Sequence, residues 1–453
     1  MKQILVLAAA LCLISGVALA TDTRIQSMGG KEKAWTVEDE TNALFFPATL
    51  VLFPNVIYVD AGLSPIYAAS DASGANVPYN VGFGVHYAFG ENTVLGFYGS
   101  SLSRSLSGNL LGRAFEQKGK WVTMGVDASA ADQAGGQAIN NADHKGSVVF
   151  GQRFGAARLG VLLSIWGDQY SVETPETSHE KKGGTIFEGS LGFGYDIDAK
   201  NNFDLSLRFW TGSFDDEKYV PGAANSVVTR FKSDSAFGFD LYGRGIFATP
   251  GGERIVPYIN LGMEGGGVTW NQANGVKNEF SSFHVVAGTD LRIQPLENVF
   301  IYPGVGIALM TEKLSEGINT ADETIQDSLT LVAPFVAASV DARVASWFSL
   351  RFAGRQSVIL NDQYHDADGV AKGKDNETLT EFLLGAGLHF GPVTIDWMLN
   401  PAWFLEGMWS DGSDEINLAL VDDDGDGAVD SVQSPARQYG EGFASQLAVK
   451  FIW

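Results

Sequence analysis

Cysteine is all but missing from this chain, and the single example is Cys12. It lies within MKQILVLAAALCLISGVALA, where Lys2 forms a short positive start, Ile4 to Ile14 an apolar core, and Ala18-Leu19-Ala20 a small-residue cleavage pattern. That is the pattern of a secretory signal peptide over residues 1–20, removed after Ala20. Leu11, directly before the cysteine, does not suit a lipid-anchor site. The expected mature chain has no thiol, which excludes disulfides, zinc–cysteine centres and cysteine nucleophiles. An excess of positive charge is missing too. With 30 Lys+Arg against 53 Asp+Glu the net charge is −23, and binding to nucleic acid, which needs a basic surface, is excluded. After the leader there is no apolar run of the roughly 18 residues a spanning helix needs; the longest is near Leu329–Val340. No Gly-x-Ser-x-Gly elbow, His-Glu-x-x-His or phosphate-cradling loop occurs. No catalytic residue is therefore assigned, and the chain is not expected to be an enzyme.

What is present is alternation. In Asn202–Trp210, Phe203, Leu205, Leu207 and Phe209 share one face, and Asp204, Ser206 and Arg208 the other. Ala236–Ala248 sets Phe237, Phe239, Leu241 and Phe247 against Asp240, Tyr242 and Arg244. Phe283–Ile293 and Val393–Asn400 repeat the division. A period of two is the signature of strands. The apolar faces are bulky, while the polar faces carry Gly, Ser and charges of both signs. A soluble sandwich would alternate as well, with its apolar face inward.

The connections decide between the two. Short turns such as Gly155–Ala156, Asp198–Asn201, Thr249–Glu253, Ala345–Ser346 and Gly391–Pro392 alternate with long polar segments: Leu63–Pro78, Leu102–His144, Gly167–Gly184, Ser213–Ser233 and Gly407–Ala436 among them. Short turns at one end and long loops at the other characterise an outer-membrane barrel. Hydrocarbon offers no hydrogen bonds, so every strand amide must pair, and only a closed sheet has no edge. A charge facing lipid costs roughly 2–4 kcal/mol at the midplane, and charges in the clearest strands avoid the bulky face. The fold expected is an all-β transmembrane antiparallel barrel over residues 55–453, with about sixteen strands, or about fourteen if weak signals near Asn55–Gly62 and Thr330–Val344 are discounted. Trp166, Trp210, Trp270 and Trp347 read as girdle residues at strand ends. The last strand, Gln438–Trp453, places Tyr439, Phe443, Leu447, Val449, Phe451 and Trp453 on one face, a pattern resembling the signal read by the barrel assembly machinery. The setting implied is the outer membrane of a Gram-negative bacterium, in contact with lipid and lipopolysaccharide.

Residues 21–54 do not alternate. Met28-Gly29-Gly30, then Asp39-Glu40, then Asn42 and Phe46-Pro47-Ala48-Thr49-Leu50 resemble the amino-terminal motif of the long-chain fatty-acid transporter superfamily of outer-membrane barrels, which includes the barrel shuttle protein of the type IX secretion system. Phe46 stands where that motif has asparagine. The resemblance implies a hatch-like segment, with Met28, Gly29, Gly30, Asn42 and Pro47 in it, folded into the lumen as a plug. It also implies passive passage of small, hydrophobic solutes. A structural, adhesive or secretion-apparatus barrel that holds a partner through long extracellular loops is the alternative.

Residues expected to line the lumen are His86, Asp204, Arg208, Asp240, Arg244, His284, Asp290, Arg292, Arg351, Arg355, Glu381 and His389. Opposite charges at close spacing suit ion-pair ladders between strands. His86, His284 and His389 could also gather round a metal. In the last long loop, VDDDGDGAVD spaces Asp422, Asp424 and Asp426 at alternate positions, followed by Gly427, Ala428 and Asp430. This matches the first nine positions of a calcium loop, with the Ala428 carbonyl as one ligand. Gln433 replaces the bidentate Glu of the twelfth position, so weak Ca2+ binding is expected there and no other cofactor.

Overall fold

The computed structural model describes residues 22–29, 33–62, 81–101, 144–174, 178–220, 227–270, 276–318, 324–366, 371–399, 419–421, 431–433 and 444–453. The leader-like residues 1–20, Gly30 and Asp422–Asp430 lie outside them.

Four short helical pieces come first: α1 (Asp22–Ser27), α2 (Lys33–Thr36), and the 3-10 turns η1 (Glu40–Leu44) and η2 (Pro47–Leu52). The strands are β1 (Val56–Gly62), β2 (Val81–Ala88), β3 (Thr93–Ser101), β4 (His144–Phe154), β5 (Ala157–Thr174), β6 (Ser178–Asp196), β7 (Asn202–Val220), β8 (Val227–Ala248), β9 (Arg254–Trp270), β10 (Val276–Leu296), β11 (Val299–Ile318), β12 (Thr324–Ala345), β13 (Phe348–Asp366), β14 (Ala371–Phe390), β15 (Val393–Leu399), β16 (Ala419–Val421), β17 (Ser431–Gln433) and β18 (Ala444–Ile452). All except β16 and β17 form one closed antiparallel barrel of 16 strands, in which β18 pairs with both β15 and β1.

The outer face explains why the chain closes this way. Phe187, Leu191, Phe193 and Tyr195 of β6 and Ile197 just after it are exposed, while Glu188 and Ser190 between them, and Ile186 before them, are buried. At about 3.3 Å per residue and a tilt of about 40°, the run from Phe187 to Ile197 stands about 25 Å tall, the height of a lipid-facing band. Tyr87, Phe89, Phe154, Phe247, Trp347, Phe390 and Trp453 are exposed near the turn end, an aromatic girdle. Two-residue turns there use Gly155 and Gly391, whose φ values of +60° and +63° suit glycine.

Both weakly signalled strands are present, so the count is sixteen rather than fourteen. The lost alternation in β12 is a bulge. Its register shifts between Val332 and Phe335 against β13, and between Gly306 and Ala308 in its pairing with β11. Pro334 has no N–H for a ladder bond, and the extra residue leaves both Val332 and Phe335 buried inside.

Several sequence expectations are corrected. Much of Gly167–Gly184 and Ser213–Ser233 is strand, because β5–β8 run far beyond the apolar band. The sequence there is polar on both faces, so hydropathy carries no strand signal. Trp210 is buried in the interior, over Gly238, and Trp166 follows the same parity beneath Lys145. Neither is a girdle residue: each shares a face with the polar residues two before it, Ser164 and Arg208. In β18 the outward series is Leu447, Val449 and Phe451, while Tyr439 and Phe443 lie outside the described residues.

Candidate functional site in the plugged lumen

Residues 22–29 and 33–53 occupy the interior of the barrel. Local sequence shapes the segment before the wall does. Gly29, at φ +122°, follows α1. Asp39 caps η1, its carboxylate accepting from the Thr41 N–H while the Asn42 side chain accepts from the Asp39 N–H. Pro47 opens η2, where its missing N–H costs nothing. Apolar residues that a free peptide would expose are then buried. Met28 packs with Ile25, Val37 and Tyr302. Trp35 and Phe46 pack with Tyr242 and Tyr258.

On one side the plug meets a slot of glycines. Gly151, Gly160 and Gly192 stand directly opposite one another on β4, β5 and β6. A Cβ at Gly160 would overlap the Pro47 carbonyl and the Ala48 nitrogen, and one at Gly192 would lie 2.8 Å from that nitrogen. Leu50 and Val51 complete the fit against Val94, Val149 and Leu162.

On the other sides the plug is held by charge. Three consecutive acids anchor it: Glu38 and Glu40 pair with the wall directly, and Asp39 pairs with Arg24 of the plug itself. Glu38 accepts from Arg254 (2.7 Å) on β9 and Arg292 (3.1 Å) on β10. Asp39 pairs with Arg24 (2.8 Å), which also donates to Asp341 (3.0 Å) on β12. Glu40 pairs with Lys450 (2.8 Å) on β18. Lys33 adds a bond of 2.6 Å to Asp290, both side chains nearly fully buried. Burial, with the neighbouring Glu40 charge, pushes the Asp39 carboxyl up to about 6 against the pull of Lys450 and Arg24. Asp39 belongs to the plug, outside the membrane-crossing strands.

The residues expected on the lumen side have these positions. Asp204 pairs with Arg244 (2.9 Å) on the next strand and with Arg158 (3.3 Å), not with Arg208 of its own strand. Arg244 also donates to the Trp35 carbonyl and to Asn42, and its guanidinium lies 4.6 Å from the Phe46 ring centre. Phe46, the departure from the family pattern, is thus a docking residue. Arg208 donates to the Leu44 carbonyl and lies 3.6 Å from Glu188. Asp240 is buried, 3.5 Å from His284, whose Nε2 donates to Asn260. Arg351 bridges Asp341 and Asp396. Arg355 is buried opposite Glu381 in the β13–β14 register. His86 bonds the Phe53 carbonyl and Tyr98, and His389 bonds Ser349. The three histidines therefore have separate partners, and no metal-binding cluster forms among the described residues. A cavity of about 420 Å3 opens at the turn end, lined by Arg24, Asp341, Arg351, His389, Asp396 and Lys450 among others.

Asp422, Asp424, Asp426, Ala428 and Asp430 lie outside the described residues, but Val421 pairs with Ser431. The β16–β17 hairpin thus brings the ends of the acidic run together.

Sequence reasoning singled out Asp39 and Glu40 but not Glu38, Arg24, Lys33 or the glycine slot. The triplet Glu38-Asp39-Glu40 is visible as a run; its targets lie more than 200 residues away for Glu38.

No family model and no curated protein matches this chain. Among solved structures, the chain is similar to the Pseudomonas putida toluene transporter TodX at 10% identity, over 84% of this chain and 93% of that one, with a TM-score of 0.37. The Ralstonia pickettii toluene transporter TbuX matches at 10% identity, over 97% and 100%, with a TM-score of 0.36. The ferric citrate transporter FecA matches at 10% identity and a TM-score of 0.37, over 76% of this chain, which spans 59% of FecA's length.

Proposed function

We propose that this chain is an outer-membrane barrel of Gram-negative type that passes small, preferentially hydrophobic solutes when its plug yields. One observation carries the reading. Barrel interiors are ordinarily polar, yet Val286, Ala308, Val332 and Ile359 face one another in a continuous inward row across β10–β13. Phe335, Tyr242 and Tyr258 widen that row, and Trp35 and Phe46 of the plug cover it. An apolar interior strip offers a hydrocarbon solute a path that excludes water.

The test is uptake by liposomes holding the full-length protein, with a monoaromatic hydrocarbon and a small sugar as probes. The hydrocarbon should enter faster than through protein-free liposomes, and Val332→Asn should slow it without admitting the sugar. No protein-dependent uptake, or uptake indifferent to Val332→Asn, overturns the reading. The alternative, a structural, adhesive or secretion-apparatus barrel, is favoured by the completeness of the seal, since Glu38, Asp39 and Glu40 are all ion-paired. Silence in planar bilayers together with no uptake would support it.

Contacts with lipopolysaccharide and the barrel assembly machinery belong to the same reading. So does weak calcium binding by Asp422, Asp424, Asp426, Ala428 and Asp430, in the roughly 10⁻⁴–10⁻³ M class. Calcium titration of wild type and Asp424→Ala checks it; identical isotherms would remove the site.

A further inference from the structure

The first and last strands, β1 and β18, meet at the junction that closes the sheet. Among the described residues their ladder runs from Val56–Ile452 to Gly62–Gln446. The cavity at the turn end lies beside it, so β15 and β18 have open space behind them at Thr394, Asp396 and Lys450. A closed sheet needs every junction, and this is the one that joins its first and last strands.

The plug meets the wall at this place. It runs directly into β1 through Pro54 and Asn55. Asn55 accepts from the Trp453 N–H (3.1 Å) with its carbonyl and from the Ala88 N–H (3.2 Å) with its side chain, joining the last residue to β2. The Phe53 carbonyl accepts from His86 Nδ1 (2.7 Å). Ala43, Leu50 and Val51 pack against Val56 and Tyr58 of β1. Lys450 is the inward-pointing cation of β18, and it reaches Glu40, with only 14% and 5% of the two side chains exposed. Glu38, two residues earlier, is fixed to β9 and β10 on another part of the wall.

We propose that the plug is the internal buttress of the barrel's closing seam: Glu40 and the Phe53–Asn55 junction hold β18 against β1, so that the plug completes the wall as well as filling the lumen. This stands apart from the transport reading, since a seam needs support whether or not anything passes.

The absence of thiols from the expected mature chain makes the test clean. Full-length protein is folded in detergent, and loss of the compact form is followed by gel mobility without boiling. Lys450→Gln should speed that loss on the order of tenfold or more, as expected when a buried partner is left unpaired. A disulfide across the seam, Val59→Cys with Val449→Cys, joins directly opposed residues and should restore the wild-type rate. A control disulfide between opposed Leu191 and Leu207, on β6 and β7, should not. An unchanged rate in Lys450→Gln, no rescue by the seam disulfide, or equal rescue by the control overturns the proposal. Should Lys450→Gln fail to fold at all, the reversed pair Glu40→Lys with Lys450→Glu decides: recovered folding supports the buttress and continued failure overturns it.

Discussion

The plug is held by two faces with different physics. Toward β4–β6 it is seated by shape: Gly151, Gly160 and Gly192 leave room for the Pro47–Ala48 backbone, and aliphatic side chains close over Leu50. Toward β9, β10, β12 and β18 it is seated by charge, through Glu38, Arg24, Lys33 and Glu40. A shape contact is short-ranged and indifferent to salt, while ion pairs respond to salt and pH in proportion to their exposure. The comparison teaches that the same segment can be fixed on one side and responsive on the other.

The comparison breaks first at Gly160. Gly160→Val puts a branched side chain into plug backbone, and the expected loss in plug seating is more than about 3 kcal/mol, beyond ordinary overpacking. Limited proteolysis at Arg24 and Lys33 reads it, and Gly146→Val, where a Cβ meets nothing within 4 Å, is the control. Equal protection in both variants would show that the slot does not seat the plug. Next is Asp290→Asn, which strands Lys33 in a site where only 5% of its side chain is exposed. About 3 kcal/mol is expected, as for breaking a buried pair. If the double variant Asp290→Asn with Lys33→Met is no better seated than the single, the cost does not come from the stranded charge.

A third prediction sharpens the charged face. Asp39 titrates at about 6 in the plug against an ordinary value of 3.8. A carboxyl raised by folding binds its proton more tightly in the docked state. Its contribution to seating is therefore full below pH 3.8 and is lost as pH rises through about 6. The gap in protease protection between Asp39→Asn and wild type should widen on going from pH 4 to pH 7, by on the order of 1–2 kcal/mol. A constant gap counts against the assignment. The smallest effect belongs to Glu38→Gln, whose partners sit with about a third of each side chain exposed. A loss of about 1 kcal/mol or less is expected, vanishing at high salt, whereas the Gly160→Val defect should persist there.

How much was legible depended on whether a signal was local. Phe203, Leu205, Leu207 and Phe209 announce a lipid-facing strand because each contrasts with its immediate neighbour. Thr249–Glu253 and Gly391–Pro392 are turns for equally local reasons. The upper halves of β5–β8 were invisible because polar residues occur on both of their faces and remove the contrast. Trp166 and Trp210 were misread by residue type, although their parity placed them inside. Asp204, Arg208, Asp240 and Arg244 were readable as an interior set, but the pairing of Asp204 with Arg244 and Arg158 needed the register of β5 to β8.

By itself the sequence determined that this chain builds a closed sheet with an apolar outside, since a period of two and the cost of an unpaired amide in lipid leave few other solutions. It also set the turn end, the loop end and the break in pattern before β1. Only the tertiary structure decided where the plug rests, which glycines make room for it, and which parts of the wall answer Glu38, Arg24 and Glu40. Those outcomes depend on side chains separated by tens to hundreds of residues being brought within bonding distance, and closure of the barrel is what brings them there.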